Sequence, residues 1–446
     1  MKSKLFHAMT AWVCALALTS VSVLAQESAK DASPAVSGKD TKALQIQEQP
    51  ERISLRQLIE QGLSNNPEIK SMERSIDMMR ARIPQAKALP EPMLSFGYMG
   101  NITPIPPFDI QKDDPSSGRA ISLSQEFPLW GKRELKGKMA SMNAEAEWWS
   151  YEQTRLNVVA EIKDVYFELF YLDKAIEVVT GNKALLGKFA KIAEARYAVG
   201  KGIQQDVLKA QVEISKLIEQ QTILEQRRQI ATGRMNSLLY HDVQSFIGRT
   251  EEIKAQPVPF TLGEVKELAL ANYPLLRAQK SKISREQFAI ELANKEFYPD
   301  VTISFNYQNR PAMPDMYGVM VGVKLPVFPG QRQRPAVTEA ASAKATEEKR
   351  LQSMITLLAY KVQEKYLAAK TAEKLVSLYG TTVIPQSSLS LESAIAGYEV
   401  GSVDFLTLLD NLTTLLNYEL SYYEQVSNTE KAVAALEPLV GRTLRP

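Results

Sequence analysis

Histidine and cysteine, the residues that most often carry catalysis or hold zinc, are almost missing from this sequence. Among its 446 residues there are two histidines, His7 and His241, and one cysteine, Cys14. Zinc sites built on these residues, cysteine nucleophiles and Ser-His-Asp triads all need more than this. Carboxylates are common, but none lies in a recognisable catalytic context, and charge runs on long helices are usually solvated faces. The sequence therefore predicts a protein that is not an enzyme and binds no cofactor.

Methionine is the other residue type that could bind a ligand here, because thioethers are soft metal ligands. The chain has 14 methionines. Five of them fall on or between predicted strands: Met93, Met99, Met313, Met316 and Met320. Methionine also fills irregular apolar gaps, and no dense Met-x-x-Met cluster occurs in the sequence. We therefore predict no metal site within the chain.

Charge and composition indicate a globular protein that does not bind nucleic acid. The 53 Lys and Arg residues nearly balance the 51 Asp and Glu residues, whereas a nucleic-acid surface needs a strongly basic face. Hydrophobic residues make up 45% and charged residues 23% of the chain, which is close to the globular average. Beyond the N-terminus no apolar stretch reaches the roughly 18 residues that a membrane-spanning helix requires.

The N-terminus has the pattern of an export signal. Lys2 and Lys4 precede an apolar run over residues 8–24, and small residues around Ala25 fit a cleavage site. A membrane anchor is the alternative, but no positive stop-transfer cluster follows the run. We predict a signal peptide at 1–25 and a flexible linker at 26–50, since the linker is polar and has no apolar periodicity.

The rest of the chain consists of two copies of one unit. Four landmarks recur in the same order: Asn65-Asn66-Pro67 with Asn272-Tyr273-Pro274, Pro90-Glu91 with Pro299-Asp300, Phe127-Pro128 with Leu325-Pro326, and Tyr197-Ala198-Val199-Gly200 with Tyr398-Glu399-Val400-Gly401. Chance could supply one such match but not an ordered series. We predict a first structural repeat at 51–250 and a second at 251–446.

Each repeat contains two predicted strands, at about 93–101 and 118–127 and at about 301–310 and 317–325. Apolar side chains alternate with small or polar ones, as in Val301, Ile303 and Phe305 against Thr302 and Ser304. Strands with one apolar face suit a bilayer-spanning barrel. They suit equally a soluble sheet that is packed on one face, so the strands alone leave both possibilities open.

Long helices follow the strands, at about 131–240 and 331–438. No Gly or Pro occurs at 138–180 or 336–379, so each run can form a helix of roughly 65 Å. Helices this long must lie side by side in coiled coils. Four strands are too few to close a barrel with a useful lumen, so several chains must share one. The fold class predicted is mainly α with a membrane β-barrel part, assembled as an oligomeric tunnel.

With these elements in place, the chain resembles the outer-membrane efflux protein (TolC) family, the exit ducts of tripartite pumps in Gram-negative bacteria. The resemblance covers residues 53–444, and the order of its motifs is more specific than any single motif. The motifs that carry it are Leu55 through Asn65-Asn66-Pro67, Leu89-Pro90-Glu91-Pro92, Gln125-Glu126-Phe127-Pro128, Gly131-Lys132-Arg133, Tyr197-Ala198-Val199-Gly200 through Asp206-Val207-Leu208, and Tyr398-Glu399-Val400-Gly401 through Asp410.

The resemblance implies a homotrimer in the cell outer membrane with a large periplasmic extension. Four strands from each chain would form one twelve-stranded barrel in the lipid, and the helical hairpins would form an α-helical tunnel. The implied partners are a periplasmic adaptor (membrane fusion) protein and an inner-membrane pump that supplies the energy.

The resemblance also bears on the type of pump and on its cargo. We expect a resistance-nodulation-division pump that exports metal ions or drugs, and residues 90–98 look more like the heavy-metal branch. Two other functions stay open: an exit duct for type I protein secretion, and a periplasmic coiled-coil scaffold without a pore.

The Val-Gly turns of the family lie at the periplasmic tip, where they meet the adaptor. By this resemblance the adaptor contacts are Val199, Gly200, Lys201, Val400, Gly401 and Ser402. Glycine suits such turns on physical grounds too, because it adopts a positive φ without steric cost.

The family also closes its channel at this tip through ionisable residues. The matching gate or lumen residues are Asp206, Tyr398 and Asp410, with Asp404 beside them. The family's gate arginine is replaced by Val403, and the partner aspartate by Thr407, so the expected lock is incomplete. Asp206 could alternatively serve as the N-cap of the returning helix.

Overall fold

The computed structural model describes residues 52–99, 117–310 and 313–445. The predicted signal peptide and linker lie outside the described residues, as do residues 100 and 101 of the first predicted strand.

The first repeat is built from six main elements and two short strands. Their bounds are β1 Arg52–Ile53, α1 Leu55–Asn65, α2 Pro67–Lys87, β2 Met93–Met99, β3 Gly118–Phe127, α3 Lys132–Ala198, α4 Gln204–Leu239 and β4 Arg249–Thr250. At about 1.5 Å per residue, the 67 residues of α3 span roughly 100 Å. The helix continues past Gly181, the first glycine after the stretch 138–180 that lacks Gly and Pro.

The second repeat follows the same order of elements. Their bounds are α5 Leu262–Asn272, α6 Pro274–Lys295, β5 Asp300–Asn309, β6 Met316–Lys324, α7 Gln333–Leu378, a π-helical turn Tyr379–Val383, α8 Ile384–Val400 and α9 Phe405–Val440. Pro67 and Pro274 stand at the first positions of α2 and α6, where a missing backbone N–H costs no helical hydrogen bond. Among the described residues, no helix combines the length and the apolar character that crossing a membrane requires.

A π-helical turn keeps the rod of α7 and α8 continuous where the sequence has a proline. Pro385 is in the first turn of α8 and cannot donate to a preceding carbonyl. The π-helical turn Tyr379–Val383 lies directly before it and widens the helix by one residue. The helical rod therefore runs from Gln333 to Val400 without a break.

The strands of both repeats join in one antiparallel sheet with the order β2-β3-β5-β6. Within the described part of the chain, β2 and β6 are the edges of this sheet. The register sets apolar residues opposite each other: Leu123 lies opposite both Leu94 and Phe305, and Phe305 also lies opposite Val319. Because side chains alternate along a strand, one face of the sheet is apolar across all four strands. A second, two-stranded parallel sheet pairs β1 with β4.

The long helices pack through seven-residue repeats. Buried positions in α3 recur at Val158, Val165, Leu172, Val179, Leu186 and Ala193. In α4 they recur at Ala210, Leu217, Leu224 and Ala231. A strict seven-residue spacing keeps one seam of each helix against its neighbours and imposes a left-handed supercoil.

The helix α3 is central to the core, because it packs against helices of both repeats: α2 and α4 of the first, α6 and α9 of the second. A buried ion pair also joins α3 to α9, with Lys163 Nζ 2.8 Å from Glu437 Oε1. Ser427 in α9 donates a hydrogen bond of 2.7 Å to the carbonyl oxygen of Phe167. The two repeats are thus packed together along their helices as well as through the sheet.

Candidate functional site

Two helix-reversing turns of the same design connect the long helices. The turn after α3 has Gly200 at φ 74°, and the turn after α8 has Gly401 at φ 82°. In the first turn Gly200 N–H donates to Tyr197 O and Lys201 N–H donates to Arg196 O, at 3.0 and 2.9 Å. The left-handed φ explains glycine at both positions, since a Cβ there is strained in any L-residue.

The second turn repeats this hydrogen-bond pattern. Gly401 N–H donates to Tyr398 O at 3.1 Å, and Ser402 N–H donates to Gly397 O at 2.9 Å. The two Tyr-x-Val-Gly landmarks of the sequence are therefore matching helix ends in the structure. Both turns cap the last carbonyl groups of their helices in the same way, as expected of a duplicated unit.

An arginine joins the two turns. Arg196 in the last turn of α3 donates from Nη1 to the carbonyl oxygen of Tyr398 in α8. Its guanidinium carbon also lies 4.8 Å from the centre of the Tyr398 ring, a cation–π contact. Tyr398 is 4% exposed, and its ring packs 5.6 Å from that of Phe405 at the start of α9. The turns of the two repeats therefore form one unit, which we call the tip.

Asp404 is the N-cap of α9. Its Oδ1 accepts a hydrogen bond of 2.7 Å from Thr407 N–H, which satisfies a backbone donor that the helix leaves free. This hydrogen bond favours the ionised carboxylate and holds the pKa of Asp404 below its usual range.

Asp206 does not cap α4, so the alternative interpretation as an N-cap is wrong. The N-cap position of α4 is Ile203, and Asp206 is in the first helical turn. Partial burial and the nearby charge of Asp404 raise the pKa of Asp206, while Arg196 acts in the opposite direction. The same burial, with the charge of Asp206, raises the pKa of Tyr398. The structure thus brings together Asp206, Tyr398 and Asp404.

Asp410 is not part of this cluster. It lies on the exposed surface of α9, two helical turns beyond Asp404. At about 1.5 Å per residue, this places it roughly 9 Å further along the helix. Any joint action of Asp410 with the tip must therefore arise through the field of its charge or through other copies of the chain.

All the residues expected to contact an adaptor are exposed. Val199 and Val400 are 68% and 80% exposed, although valine usually lies in the interior. Lys201 and Ser402 are exposed beside them, and Ser402 Oγ donates to Gly397 O at 3.1 Å. The tip therefore presents two apolar side chains at the end of a long helical rod.

Sequence reasoning did not find Arg196. It precedes Tyr197 in the first landmark, whereas the matching position in the second landmark is Gly397. This difference between the two repeats could have pointed to Arg196. An arginine that stands beside the turn in only one repeat suggests a contact that the other repeat does not make. Its contact with Tyr398 depends on how the repeats pack, which neither repeat reveals alone.

The sheet carries a second candidate surface, its apolar face. Large side chains on this face are exposed, among them Phe96 at 74% and Val319 at 70%. An apolar face of this size on an isolated protein marks a contact with lipid or protein. Among the described residues, no group of three or more His, Cys, Asp or Glu side chains is placed to hold a metal ion.

Comparison with known proteins identifies related sequences over most of the chain. The model of the outer membrane efflux protein family matches residues 58–239 and 265–442, one match in each repeat. The cobalt-zinc-cadmium resistance protein CzcC of Cupriavidus metallidurans is 22% identical over 400 residues, which cover 87% of this chain and 90% of that protein. The outer membrane protein TolC of Vibrio cholerae is 22% identical over 386 residues, covering 80% and 83% of the two chains.

A solved structure shows the same fold. The outer membrane protein VceC of Vibrio cholerae superposes with a TM-score of 0.73 at 18% identity, covering 88% of this chain and 97% of that one. The order of long helices and four strands is therefore common to both proteins.

Proposed function

The chain belongs to the outer membrane efflux protein family, and on that premise we propose that it is the exit duct of a tripartite pump that exports metal cations. The family consists of passive channels of the outer membrane and not of enzymes. Its channels are homotrimers that work with an adaptor and an inner-membrane pump. In this proposal the chain forms such a homotrimer, and the inner-membrane pump is of the resistance-nodulation-division type.

The observation that carries the proposal is the joining of an exposed apolar sheet to helices of about 100 Å. The apolar face of the sheet suits the hydrocarbon of a membrane. No helix in the described ranges has the length and apolar character to cross one. A duct that crosses the outer membrane and reaches through the periplasm needs both parts in one molecule.

The tip suits the adaptor contact. Val199 and Val400 are exposed at the end of the rod, beside the turns at Gly200 and Gly401. Burial of apolar surface in such a contact stabilises it by about 25 cal/mol per Å², so even two valines contribute measurably to docking. Lys201 and Ser402 add polar groups at the rim of the same contact.

The tip also suits a gate. Asp206, Tyr398, Asp404 and Asp410 would be repeated in each copy of the chain around a shared axis. Arg196 supplies a cation close to Tyr398, although Val403 stands where an arginine was expected. The gate would therefore be held by an arginine from the first repeat.

Metal cations are the cargo that the charges and one relative favour. Carboxylates of the tip attract cations, and the related CzcC is by its name a resistance protein for cobalt, zinc and cadmium. The duct itself needs no metal site for this role, because it conducts cations without having to distinguish one metal from another.

Growth of a deletion strain tests this function. Loss of the gene should lower tolerance to zinc, cobalt or cadmium salts, and the wild-type gene should restore it. A Val199→Asp/Val400→Asp variant should reach the outer membrane and fail to restore tolerance, because charge disrupts the adaptor contact. Val243→Asp, at a valine that is 63% exposed outside the tip, is the matched control and should restore tolerance. Unchanged metal tolerance with a loss of protein secretion would instead indicate a type I secretion duct.

A further inference from the structure

The two repeats meet at an ionic junction where strands become helices. Lys132, the first residue of α3, is 2% exposed, and its Nζ lies 2.8 Å from Asp300 Oδ2 at the start of β5. Nζ also donates to Tyr298 O at 3.0 Å, and Leu129 N–H donates to Asp300 Oδ1 at 3.1 Å. The end of strand β3 in the first repeat is thereby fixed to the start of strand β5 in the second.

An aromatic contact accompanies this ionic junction. The Trp130 ring lies 5.1 Å from the Tyr298 ring, and Trp130 Nε1 donates to Pro299 O at 2.9 Å. The junction thus consists of a cation at the helix start, a carboxylate at the strand start, and a ring beside them.

A cation at a helix start, a carboxylate at a strand start and an aromatic ring occur a second time in the chain, but there they do not contact one another. The helix start after β6 has Arg332 and Arg334, and the strand start before β2 has Glu91. All three are exposed and have no ion-pair partner in the part of the chain that the structure describes. Phe328, which corresponds to Trp130, is 70% exposed, and Leu89, which corresponds to Tyr298, is 40% exposed.

The helix start after β6 also needs an anion for its own stability. The first turn of α7 contains no acidic residue, although the partial positive charge of a helix N-terminus disfavours the two arginines there. Gln333 between them is buried, and within the described residues its Oε1 has no hydrogen-bond donor. A buried acceptor without a donor costs free energy, so a hydrogen-bond donor is expected at this place in addition to the anion.

We propose that a second copy of this chain completes the junction, with its β2 and Glu91 placed against β6 and the Arg332–Arg334 segment of the first copy. This inference rests on the proposed homotrimer, whose shared barrel already brings β2 and β6 of neighbouring chains together, and deepens it, because it names the charged residues that meet there and the register of the two strands. Phe328 of one copy then covers Leu89 of the next, as Trp130 covers Tyr298 within the chain.

The register follows from the equivalence of the repeats. Phe127 in β3 lies opposite Val301 in β5. The corresponding residues of the open edges are Leu325 in β6 and Pro92 before β2. An antiparallel pair with Leu325 opposite Pro92 sets Val321 opposite Phe96 of the next copy, and Gly322 opposite Ser95.

The alternation of side chains supports this register independently. Val319, Val321 and Val323 lie on the apolar face of β6, and they come opposite Tyr98, Phe96 and Leu94 of the next copy. The apolar face then continues across the boundary between the chains. A slip by one residue would turn every side chain of one strand to the wrong face.

Cysteine cross-linking tests the register without interference from native cysteines. The one cysteine of the sequence, Cys14, lies in the predicted signal peptide and is lost when that peptide is removed. The variant Ser95→Cys/Gly322→Cys should form disulfides between copies, because opposite residues of an antiparallel pair have Cα atoms about 4.5–5.5 Å apart. Within one chain the two positions are three strand spacings apart, roughly 14 Å, so only links between copies can form. Gly322 tolerates the change, as an added Cβ would meet its nearest atom, Thr302 O, at 3.8 Å.

The matched controls are Ser95→Cys/Met320→Cys and Ser95→Cys/Lys324→Cys, which lie on the same face but two residues off the register. Their Cα atoms would be about 8 Å apart, beyond the range of a disulfide. After oxidation, most of the Ser95→Cys/Gly322→Cys protein should run as a covalent trimer on non-reducing denaturing gels, and the controls as monomers. Efficient links in either control would overturn the register. If trimers form but none of the three cysteine pairs links their chains, the interface is wrong and the proposed function is unaffected. A water-soluble monomer would overturn both.

Charge exchange tests the ionic part of the junction. Glu91→Arg, and separately Arg332→Glu/Arg334→Glu, should lower the temperature at which trimers dissociate in detergent, and the combination of all three changes should recover most of the loss. Asp77→Arg, at an exposed carboxylate of α2, is the control and should have little effect. If the combined variant is no better than the separate ones, Glu91 does not meet the two arginines.

Discussion

Tyr398 connects more of the candidate site than any other side chain of the tip. Its backbone carbonyl accepts from Arg196, its ring receives the cation of the same arginine, and its other side packs on Phe405. The nearby Asp206 carries a charge that the burial of the tip disfavours. A small set of residues thus couples the end of α3, the end of α8 and the starts of α4 and α9.

The first prediction concerns ion selectivity. Replacing Asp206 and Asp410 together by Asn should weaken cation selectivity and block by cations, because it removes two carboxylates from every copy around the axis. Planar-bilayer recordings in a salt gradient measure this as a shift of the reversal potential toward zero. Trimers should form normally, since Asn is close to Asp in shape. Asp77→Asn is the control for charge outside the tip, and unchanged selectivity of the double variant would remove both residues from the gate.

The second prediction concerns pH and has a definite sign. The raised pKa of Asp206 means that the folded tip binds a proton more tightly than the unfolded chain does, so the tip gains stability as the pH falls through that pKa. The lowered pKa of Asp404 has the opposite effect, as its stabilisation is lost when the pH falls through its own, lower value. The tip should therefore be most stable at mildly acidic pH.

Hydrogen exchange of the turn amides, corrected for the intrinsic pH dependence of exchange, measures this profile. Asp206→Asn should abolish the gain on mild acidification and leave the loss at lower pH. Asp404→Asn should abolish the loss at lower pH and also reduce the gain on mild acidification, because the charge of Asp404 is one cause of the raised pKa of Asp206. If the Asp206→Asn variant still gains stability on mild acidification, a group other than Asp206 titrates there.

The resemblance to the family predicted part of this site. It indicated Asp206 and Tyr398 as gate residues with Asp404 beside them, and the structure brings these three together. It did not indicate Arg196, because the contact to Tyr398 joins residues from different repeats. It also left open whether Asp206 caps its helix, since the start of α4 depends on the conformation of Gly200 and the residues after it.

At the scale of the elements, local patterns were the most informative. Alternation predicted the strands, and stretches without Gly or Pro predicted helices so long that they must lie in coiled coils, because both patterns depend only on neighbours along the chain. Which strands pair is a property of the folded molecule. The adjacency of β3 and β5, which links the two repeats, could not be derived from either pattern.

The third prediction separates the two faces of the sheet. Val321→Arg should block insertion into the outer membrane, at a cost of about 2–4 kcal/mol near the middle of the bilayer. Gly322→Ala is its control on the opposite face and should insert normally, since the added methyl group would meet its nearest atom, Thr302 O, at an ordinary contact distance of 3.8 Å. Quantifying folded protein in outer-membrane fractions compares the two. Equal insertion of both variants would mean that the assignment of the faces is wrong.

At the scale of the whole molecule, the sheet is incomplete in a single chain. As far as the structure describes the chain, its edges β2 and β6 expose unpaired backbone groups, which water can satisfy but hydrocarbon cannot. The chain therefore requires other copies before its apolar face can lie in a membrane.

The fourth prediction follows from these open edges. The purified mature protein should be a trimer that stays in solution only with detergent, and light scattering should give about three times the mass of one chain after subtraction of the detergent. Removal of the detergent should cause aggregation and not dissociation into soluble monomers. A monomer that is stable in plain buffer would contradict the barrel.

The π-helical turn at Tyr379–Val383 preserves the angular phase of the tip. Before it, buried residues keep a seven-residue frame at Val362, Ala369 and Val376; after it, the frame resumes at Leu391 and Tyr398, displaced by one residue. One residue corresponds to about 100° of rotation around a helix. In a regular α-helix the extra residue would turn the end of α8 by this angle and carry Tyr398 away from Arg196. The wide π-helical turn takes up that residue, so the buried seam continues on the same side of the helix. Deleting Thr382 should therefore convert this stretch to a regular α-helix and leave Tyr398 facing Arg196.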